Sequence, residues 1–475
     1  ALDFISESNA QKLILMNLRT SIIPSKSTFV GHKNEIDKKA ICIFAATGFF
    51  LDQDTYFNGQ SVLRPGYDYT LNKTEIISKS QYFKWHYTPI ERPFEQVVND
   101  FASLFETIIN EQVGDRRVIL PLSGGLDSRT LAAALNHLKK NVTSYSYEFE
   151  NGLNETDFAQ KIAQVCQFPF EKWVIPEGYL WNNIEKIATI NQCYTEFTHP
   201  RQAAVVNKFS NMGDVFCLGH WGDVLFDDMK VDEHLSLDAQ VDLMVKKVLK
   251  KGGLILGRKL WESWRLEGDF DNYLKERISF LLKEIDIPSN ANSQIRAFKS
   301  LFWAPRWTNV NLSFFESVKP ITLPYFDNRM CEFICTVPEK YLSGRQIQIA
   351  YIKKRNPTLA KIAWQDHRPF NLYNFHWNKH PWNLPYRIYK KIDREFITKN
   401  KVVNNYENQF LGIENDENLR YWLFDNTSFI NFINPELTKE IYDKFKNEDH
   451  LKYSHPISTL LTLSLFSKLI SDEKV

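Results

Sequence analysis

A short glycine-rich string has the residue types and spacing of a phosphate-binding loop. An apolar run that ends at Leu122 is followed by Ser123-Gly124-Gly125-Leu126-Asp127-Ser128. Two glycines let backbone N–H groups approach phosphate oxygens, and the two serine hydroxyls add hydrogen-bond donors. Because a carboxylate repels phosphate unless a cation lies between them, Asp127 predicts a magnesium ion bound by the carboxylate and the phosphates together. The alternative is an ordinary strand-to-helix turn with an acid in the first helical turn.

A second apolar run also ends in a turn that contains glycine and an acid. Its sequence is "DVFCLGHWGDVLFDDM", with Gly219 and Asp223 in the turn. If the two runs are neighbouring strands of one parallel sheet, Asp127 and Asp223 reach the same edge and can bind one magnesium ion. The alternative is a strand followed by an acidic surface loop, which is our interpretation of Asp227 and Asp228.

The elements around these turns alternate between helix and strand. Helical spacing is found in "PFEQVVNDFASLFETIINEQV", "DSRTLAAALNHLKK" and "NETDFAQKIAQVCQ", and strand character in "RRVILPL" and "NVTSYSYEF". This order predicts an α/β fold in which a parallel sheet has helices on both faces and binds its ligand at the carboxyl edge. We therefore predict one domain over 91–475, with 91–230 as the nucleotide-binding core and 231–475 as a mainly helical substrate part.

Residues 1–90 are predicted to form a small β-rich domain. The runs "KAICIFAATGFFLD", "VLRPGYDYTLN" and "ISKSQYFKW" are interpreted as short strands, and the residues between them favour turns. This interpretation places Cys42 in a strand.

The composition narrows the classes of partner and compartment. The 475 residues carry a net charge of +1, so the overall balance predicts no nucleic-acid partner. The longest apolar run is too short to span a bilayer and the first residues lack a signal-peptide layout, so we expect no membrane partner. Six scattered cysteines without a CxxC pair are typical of the reducing cytoplasm. Cys331 and Cys335 share a predicted helix face, and we interpret them as core residues rather than a metal site.

The loop at 123–128 resembles the pyrophosphatase loop of the ATP-pyrophosphatase enzymes, which include asparagine synthetases and β-lactam synthetases. The second turn resembles the Gly-Glu-Gly-Ser-Asp-Glu string of asparagine synthetases, and Gly219 and Asp223 match it. Further similarity lies in "FDNRMCEFICTVPEKY", "NPTLAKIAWQDHRPF" and "GFFLDQDTYFNGQSVLRPGYDY". The resemblance implies ATP and Mg²⁺, with adenine beside Ser146 and Tyr147. It also implies that a substrate carboxylate is adenylated, pyrophosphate leaves, and an amine then gives an amide or lactam and AMP.

Three features depart from the family pattern. Glutaminases of this type begin with a nucleophilic cysteine, whereas this sequence begins with Ala1, so we expect 1–90 to be a reduced, inactive glutaminase-like region. The nitrogen should then come from ammonia or from an amine of the substrate. His220 replaces a glutamate, as in lasso-peptide cyclases, and is predicted to deprotonate the attacking amine; the alternative is a hydrogen bond to its own loop. His367 or Arg368 is expected to stabilise transition-state charge where the family has a late lysine.

The sequence thus predicts a ligase that forms AMP and acts on a small-molecule or peptide carboxylate without using glutamine. Its product is an amide, a lactam or a peptide macrocycle, and the residues do not distinguish these. A tRNA-modifying ATP pyrophosphatase is a second interpretation, disfavoured by the near-neutral charge. A third is a degenerate, non-catalytic partner that keeps the fold and binds a peptide or a sister subunit. A homodimer and a pathway partner both stay open.

Overall fold

The computed structural model describes residues 15–154, 156–393, 398 and 401–472. Its N-terminal part contains five short strands and one helix: β1 (Leu15–Arg19), β2 (Phe29–Gly31), α1 (Lys38–Thr47), β3 (Gln60–Val62), β4 (Tyr67–Asn72) and β5 (Glu75–Gln81). The strands form two antiparallel sheets, one in the order β1-β4-β5 and the other pairing β2 with β3. The predicted strands in "VLRPGYDYTLN" and "ISKSQYFKW" are therefore confirmed.

The predicted strand in "KAICIFAATGFFLD" is wrong, because most of this run is helix α1. Asp37 caps the helix by accepting a hydrogen bond from the Ala40 N–H, and Gly48 ends it with a φ of 81°. All residues from Ala40 to Thr47 are buried, so the run has no polar face. A continuous apolar run cannot distinguish a fully buried helix from a buried strand, which explains the error. Cys42 accordingly lies on a helix.

A five-stranded parallel sheet occupies the centre of the molecule. Its region comprises α2 (Phe94–Val113), β6 (Val118–Pro121), α3 (Leu126–His137), β7 (Val142–Phe149), α4 (Thr156–Cys166), β8 (Phe170–Ile175), α5 (Ile184–Asn191), β9 (Val215–Cys217) and α6 (Gly222–Leu225). The strand order is β10-β9-β6-β7-β8, where β10 is Ile321–Thr322. Ile119 of β6 pairs with Thr143 of β7 on one side and with Phe216 of β9 on the other. The predicted α/β fold and the adjacency of the two site-bearing strands are confirmed.

The remainder of the chain is mainly helical, as predicted. Its helices are α7 (Leu237–Val248), α8 (Gly253–Ser263), α9 (Phe270–Ile285), α10 (Ala291–Phe298), α11 (Asn309–Glu316), α12 (Asn328–Cys335), α13 (Glu339–Leu342), α14 (Gln346–Arg355), α15 (Pro357–Ala360), α16 (Leu384–Ile392), α17 (Asn405–Phe410), α18 (Ile413–Arg420), α19 (Thr427–Phe432), α20 (Pro435–Asn447) and α21 (His450–Asp472). A π-helical segment, Lys299–Thr308, joins α10 to α11. Cys331 and Cys335 lie buried on α12, in agreement with their interpretation as core residues.

One large hydrophobic core joins all three regions of the chain. It contains side chains of α1, the central sheet and the C-terminal helices, among them Ile41, Phe101, Phe216 and Leu461. The contact between α1 and α8 depends on glycine, because a Cβ at Gly253 would lie 2.3 Å from the Ala46 carbonyl oxygen. The boundaries near residues 90 and 230 stay predictions. Within the described ranges, no helix combines the length and apolar character needed to cross a membrane.

Candidate active site

A cleft of about 800 Å³ opens at the carboxyl edge of the central sheet. Most of the residues that the sequence singled out line it: Leu122, Ser123, Gly125, Asp127, Ser128, Ser146, Tyr147, Gly219, His220 and Asp223. They come from the turns that follow β6 and β9 and from β7, which is the arrangement expected where parallel strands end side by side. The fold therefore brings the two predicted motifs into one site.

The glycine-rich loop leaves the N-terminus of α3 directed at the cleft. Ser123 and Ser128 are hydrogen-bonded through their hydroxyls at 3.0 Å, and the Ser128 Oγ also accepts from the Ser123 N–H at 3.1 Å. Gly125 occupies the N-cap position, and no described side chain caps the helix there. Free N–H groups and the positive end of the helix dipole then face the cleft, which favours an anion.

The segment around Gln365 is hydrogen-bonded to this loop. The Gly124 N–H donates to Gln365 Oε1 at 3.1 Å, and the Gln365 N–H donates to the Gly124 carbonyl at 3.3 Å. A Cβ at Gly124 would lie 2.5 Å from Gln365 Oε1, so only glycine permits this contact. Buried Arg129 donates to the carbonyls of Gly124 and Ala363 at 3.2 and 2.9 Å. Gly124 thus shapes the loop and contacts Gln365, rather than lining the cleft as its neighbours do.

His367 and Arg368, which the sequence placed in the catalytic set, lie outside the cleft lining. The His367 ring packs 4.1 Å from the Trp364 ring, and the Arg368 guanidinium lies 5.2 Å from the Phe158 ring centre. Their neighbours Gln365 and Asp366 line the cleft instead. A catalytic role for the pair has no geometric support in this conformation.

Asp127 is the most constrained of the predicted residues. Its Oδ1 forms an ion pair with Arg345 and accepts from Gln348 Nε2 at 3.1 Å. Gln348 in turn accepts from Arg345 Nε at 2.8 Å and donates to the Tyr325 hydroxyl at 2.8 Å. Burial raises the pKa of Asp127, Arg345 lowers it, and nearby Asp223 raises it again, with a net rise. No sequence pattern pointed to Arg345, which is 218 residues away in the chain.

The turn after β9 packs directly on Asp127. A Cβ at Gly222 would lie 2.2 Å from Asp127 Oδ1, and one at Gly219 would lie 3.2 Å from the Asp127 Cβ. Glycine at both positions therefore allows the close approach. Asp223 itself is exposed to the cleft.

The two carboxylates fit a magnesium ion only in part. Both offer the oxygen ligands that magnesium prefers. Among the residues that the structure describes, no cluster of three or more His, Cys, Asp or Glu side chains could hold a metal. A magnesium ion at Asp127 and Asp223 would therefore need phosphate oxygens and water to complete its shell, as expected for an ion that arrives with a nucleotide.

His220 is neutral at physiological pH. Burial lowers the pKa of its imidazole from 6.5 to about 4, although Asp223 acts in the opposite direction. Its Nδ1 is buried and has no hydrogen-bond partner among the described residues. This nitrogen therefore makes no hydrogen bond to the loop within the described residues. The Phe315 ring centre lies 6.4 Å away.

An aromatic end of the cleft was not predicted from the sequence. It is lined by Trp221, Trp303, Trp307 and Phe315 together with Lys299. The Lys299 Nζ lies 5.6 Å from the Trp303 ring centre and 5.9 Å from that of Trp221. Burial lowers the pKa of Lys299, and Asp223 opposes this. Lys299, Trp303 and Trp307 are spaced four residues apart, a spacing that places side chains on one face of a helix. This spacing was the available sequence signal for the aromatic end.

The other end is formed by β7. Ser146 is buried, and the Tyr147 hydroxyl accepts from Arg201 Nε at 2.8 Å. Tyr145, two residues earlier on the same face as Tyr147, is fully buried and stacks on Trp173 in the core. Burial along β7 does not alternate, since Ser144, Tyr145 and Ser146 are all buried. Tyr147 lines the cleft and Tyr145 does not, because Tyr147 lies nearer the carboxyl end of the strand.

Comparison with known proteins agrees with the site. The asparagine synthase family matches residues 100–230, from α2 to the loop after α6, and so includes both motifs. No curated protein matches the chain. The match supports an ATP-pyrophosphatase-type ligase with biosynthetic function, and members of the family use ATP. Residues 100–230 therefore resemble the asparagine synthase family, and the match does not extend to the rest of the chain.

Proposed function

We propose that this protein is an ATP-dependent carbon–nitrogen ligase that adenylates a carboxylate in the cleft and then lets an amine attack the activated carbonyl. The proposal rests on one observation. Asp127 and Asp223 lie close together beside the N-terminus of α3, where no described side chain caps the helix. Positive helix ends attract phosphate, and two carboxylates beside it are explained if a cation lies between them and the phosphates.

The proposal gives ATP one direction in the cleft. Its phosphates would bind the free N–H groups in the first turn of α3 and the serine hydroxyls of the 123–128 loop, and its adenine would lie toward Ser146 and Tyr147. A magnesium ion bound to Asp127 and Asp223 would supply positive charge to the phosphates. Arg345 fixes the Asp127 carboxylate through its ion pair and adds a second positive charge at this end. Donors that are already oriented stabilise the charge of departing pyrophosphate at little reorganisation cost.

The substrate carboxylate would occupy the space between the phosphates and the aromatic end. Lys299 is a largely buried ammonium group whose packing partners are Trp221 and Trp303. A buried cation is stabilised by an anion that it can contact, so Lys299 is a suitable partner for a substrate carboxylate. The carboxylate oxygen attacks the α-phosphorus of ATP, which forms an acyl-adenylate and expels pyrophosphate.

We assign His220 a role in the second step. Its imidazole lines the cleft in the neutral form, so it can accept the proton that the amine loses on attacking the acyl-adenylate. The carbonyl then releases AMP, and the amide or lactam forms. Since its pKa lies well below physiological pH, His220 is a weak base, and its contribution should lie near the lower end of the usual range, about 100-fold.

The cysteines of the chain offer no nucleophile for glutamine hydrolysis. All six are buried, and burial raises the pKa of the Cys42 thiol. A buried thiol with a raised pKa is not a thiolate at physiological pH. Free ammonia or a substrate amine is therefore the proposed nitrogen donor.

The test is ATP–pyrophosphate exchange with magnesium against a panel of aliphatic, aromatic and amino-acid carboxylates. We expect exchange with at least one class of acid. Lys299→Met should raise the half-saturating concentration of that acid by about 10- to 100-fold, the range for a lost hydrogen bond to a charged group. Lys250→Met is the matched control, because Lys250 is also a buried lysine over a tryptophan, Trp307, but does not line the cleft. ATP cleavage to ADP and phosphate would contradict the proposal.

A further inference from the structure

The segment 371–392 presents an exposed surface that nothing in the described part of the chain covers. Helix α16 buries none of its nine residues. Isolated helices shorter than about 12 residues are marginal in water, and most helices in proteins are stabilised by packing of one face. A helix of this length without a packed face therefore indicates a surface that is completed by something outside the described part of the chain.

The exposed side chains of this segment are unusually apolar. Of the eighteen large hydrophobic side chains exposed among the described residues, seven lie here: Tyr373, Trp377, Trp382, Leu384, Ile388, Tyr389 and Ile392. Trp382 is 65% exposed, Tyr389 60% and Ile388 53%. Trp377 and Trp382 stack on each other with ring centres 6.2 Å apart. Clusters of this kind mark interaction sites.

Helix α16 carries an apolar stripe with basic residues around it. Leu384, Ile388 and Ile392 follow one another at intervals of four residues and share the stripe. Lys390 lies opposite the stripe, whereas Arg387 and Lys391 flank it on one side, and all three are exposed. We call the apolar stripe with the preceding tryptophans and the three basic residues the α16 face.

The stretch of sequence that contains the α16 face is basic, although Asp366 and Asp393 flank it. From His367 to Ile392 the sequence contains three lysines and two arginines but no aspartate or glutamate, although the whole chain has a net charge of only +1. A second copy of the chain would bring the same basic residues together across a two-fold axis, which is unfavourable. The partner must therefore be negatively charged and must also accept aliphatic side chains.

We propose that the α16 face docks on an anionic phospholipid surface. An exposed aliphatic stripe flanked by lysine and arginine, with tryptophans just before the helix, is the pattern of helices that lie in the membrane interface. The basic residues contact acidic headgroups, the tryptophans lie at headgroup level, and the aliphatic stripe inserts among the first acyl carbons. The sequence-based expectation of no membrane partner rested on the absence of a spanning run, a criterion that does not detect a surface helix.

The test is co-sedimentation of the full chain with vesicles of two parts phosphatidylcholine to one part phosphatidylserine, and with phosphatidylcholine alone. We expect binding to the acidic vesicles only, weakened by salt. Lys390→Glu/Lys391→Glu should reduce the partition coefficient by at least about 20-fold, since each basic residue contributes about fivefold. Trp382→Ser/Ile388→Ser should also reduce it. Unchanged circular dichroism and thermal midpoints would show that these exposed substitutions leave the fold intact.

The matched control is Lys246→Glu/Lys247→Glu, which makes the same change in charge at two exposed lysines in the last turn of α7. It should leave vesicle binding within about twofold of the wild type, because α7 offers no exposed apolar stripe. Three results would overturn the proposal. They are an absence of wild-type binding to acidic vesicles, an equal loss in the control, and self-association or oligonucleotide binding that the α16 substitutions abolish while vesicle binding stays unchanged.

Discussion

Acid should destabilise this protein through His220, and the effect can be separated from that of other groups. In the folded chain, burial lowers the pKa of His220 to about 4, whereas the unfolded chain has an ordinary histidine with a pKa near 6.5. The folded pKa is the lower one, so the unfolded state binds more protons between these values. The stability that neutral His220 contributes is therefore complete above the unfolded pKa and is lost as the pH falls toward the folded pKa.

The magnitude follows from the two values. Between neutral pH and about pH 4.5, the loss attributable to His220 is about 2 to 3 kcal/mol. His220→Gln removes the titration and keeps a polar side chain. The free energy of unfolding, measured with urea at both pH values, should therefore fall by about 2 to 3 kcal/mol more in the wild type than in the variant.

A residue-specific readout accompanies the unfolding experiment. Exchange of the imidazole C2 hydrogen, followed by mass spectrometry, reports the pKa of each histidine, and His220 should titrate well below 6.5. In catalysis, the acid limb of the amide-forming step should likewise lie near a pKa of about 4, and His220→Gln should slow that step while leaving adenylation almost unchanged. A His220 midpoint near 6.5, or the same pH dependence of stability in both proteins, would refute the assignment of His220 as a buried neutral group.

Three further predictions follow from the contacts of single residues. Asp127→Asn and Asp223→Asn should each lower magnesium-dependent ATP–pyrophosphate exchange by at least about 100-fold, and full activity in either variant would remove its metal role. Gly222→Ala should displace Asp127, since the new methyl group would lie 2.2 Å from its Oδ1, and should cost about 1 to 3 kcal/mol in unfolding free energy together with most of the exchange activity. Glu196→Gln should cost about 2 kcal/mol in the same assay, because the buried carboxylate is 3.2 Å from His199 Nε2 and accepts other hydrogen bonds. Burial acts to raise the pKa of Glu196, but the neighbouring His199 and His455 side chains outweigh this effect, and the net pKa is lowered. This contribution should therefore be present above the ordinary glutamate pKa and disappear in acid. A variant as stable as the wild type at neutral pH would contradict it.

The nucleotide end of the site could be predicted because its chemistry is local in sequence. The loop at 123–128 follows its strand without interruption, and the turn that contains Asp223 does the same. Parallel pairing of β6 with β9 then brings the two turns together, a consequence of strand order rather than of any particular side chain.

The rest of the site depends on contacts between distant parts of the chain. Arg345 reaches Asp127 from the turn before α14, and its position in the sequence carries no spacing signal. Lys299 enters the cleft from the segment that joins α10 to α11, which the sequence-based prediction treated only as part of a helical region. His367 and Arg368 were selected by position relative to a missing lysine, whereas packing directs their rings and charges away from the cleft.

The N-terminal region shows a different limit of sequence patterns. Residues 40–46 of α1 are apolar on every side because this part of the helix is buried on every side, so neither a period of two nor one of 3.6 is visible. The capping residue Asp37 and the terminating Gly48 were the available signals for a helix. Whether residues 1–90 descend from a glutaminase domain stays a prediction.

The central claim, that a carboxylate attacks the α-phosphorus of ATP in this cleft, is tested most directly by isotope transfer. An acid that supports ATP–pyrophosphate exchange is labelled with heavy oxygen in its carboxylate and incubated with the protein, ATP, magnesium and an amine. Mass spectrometry of the nucleotide products should find one heavy oxygen in AMP, in amounts equal to the amide formed, because the carboxylate oxygen that attacks phosphorus leaves with it. Unlabelled AMP, or ADP as the nucleotide product, would contradict the account.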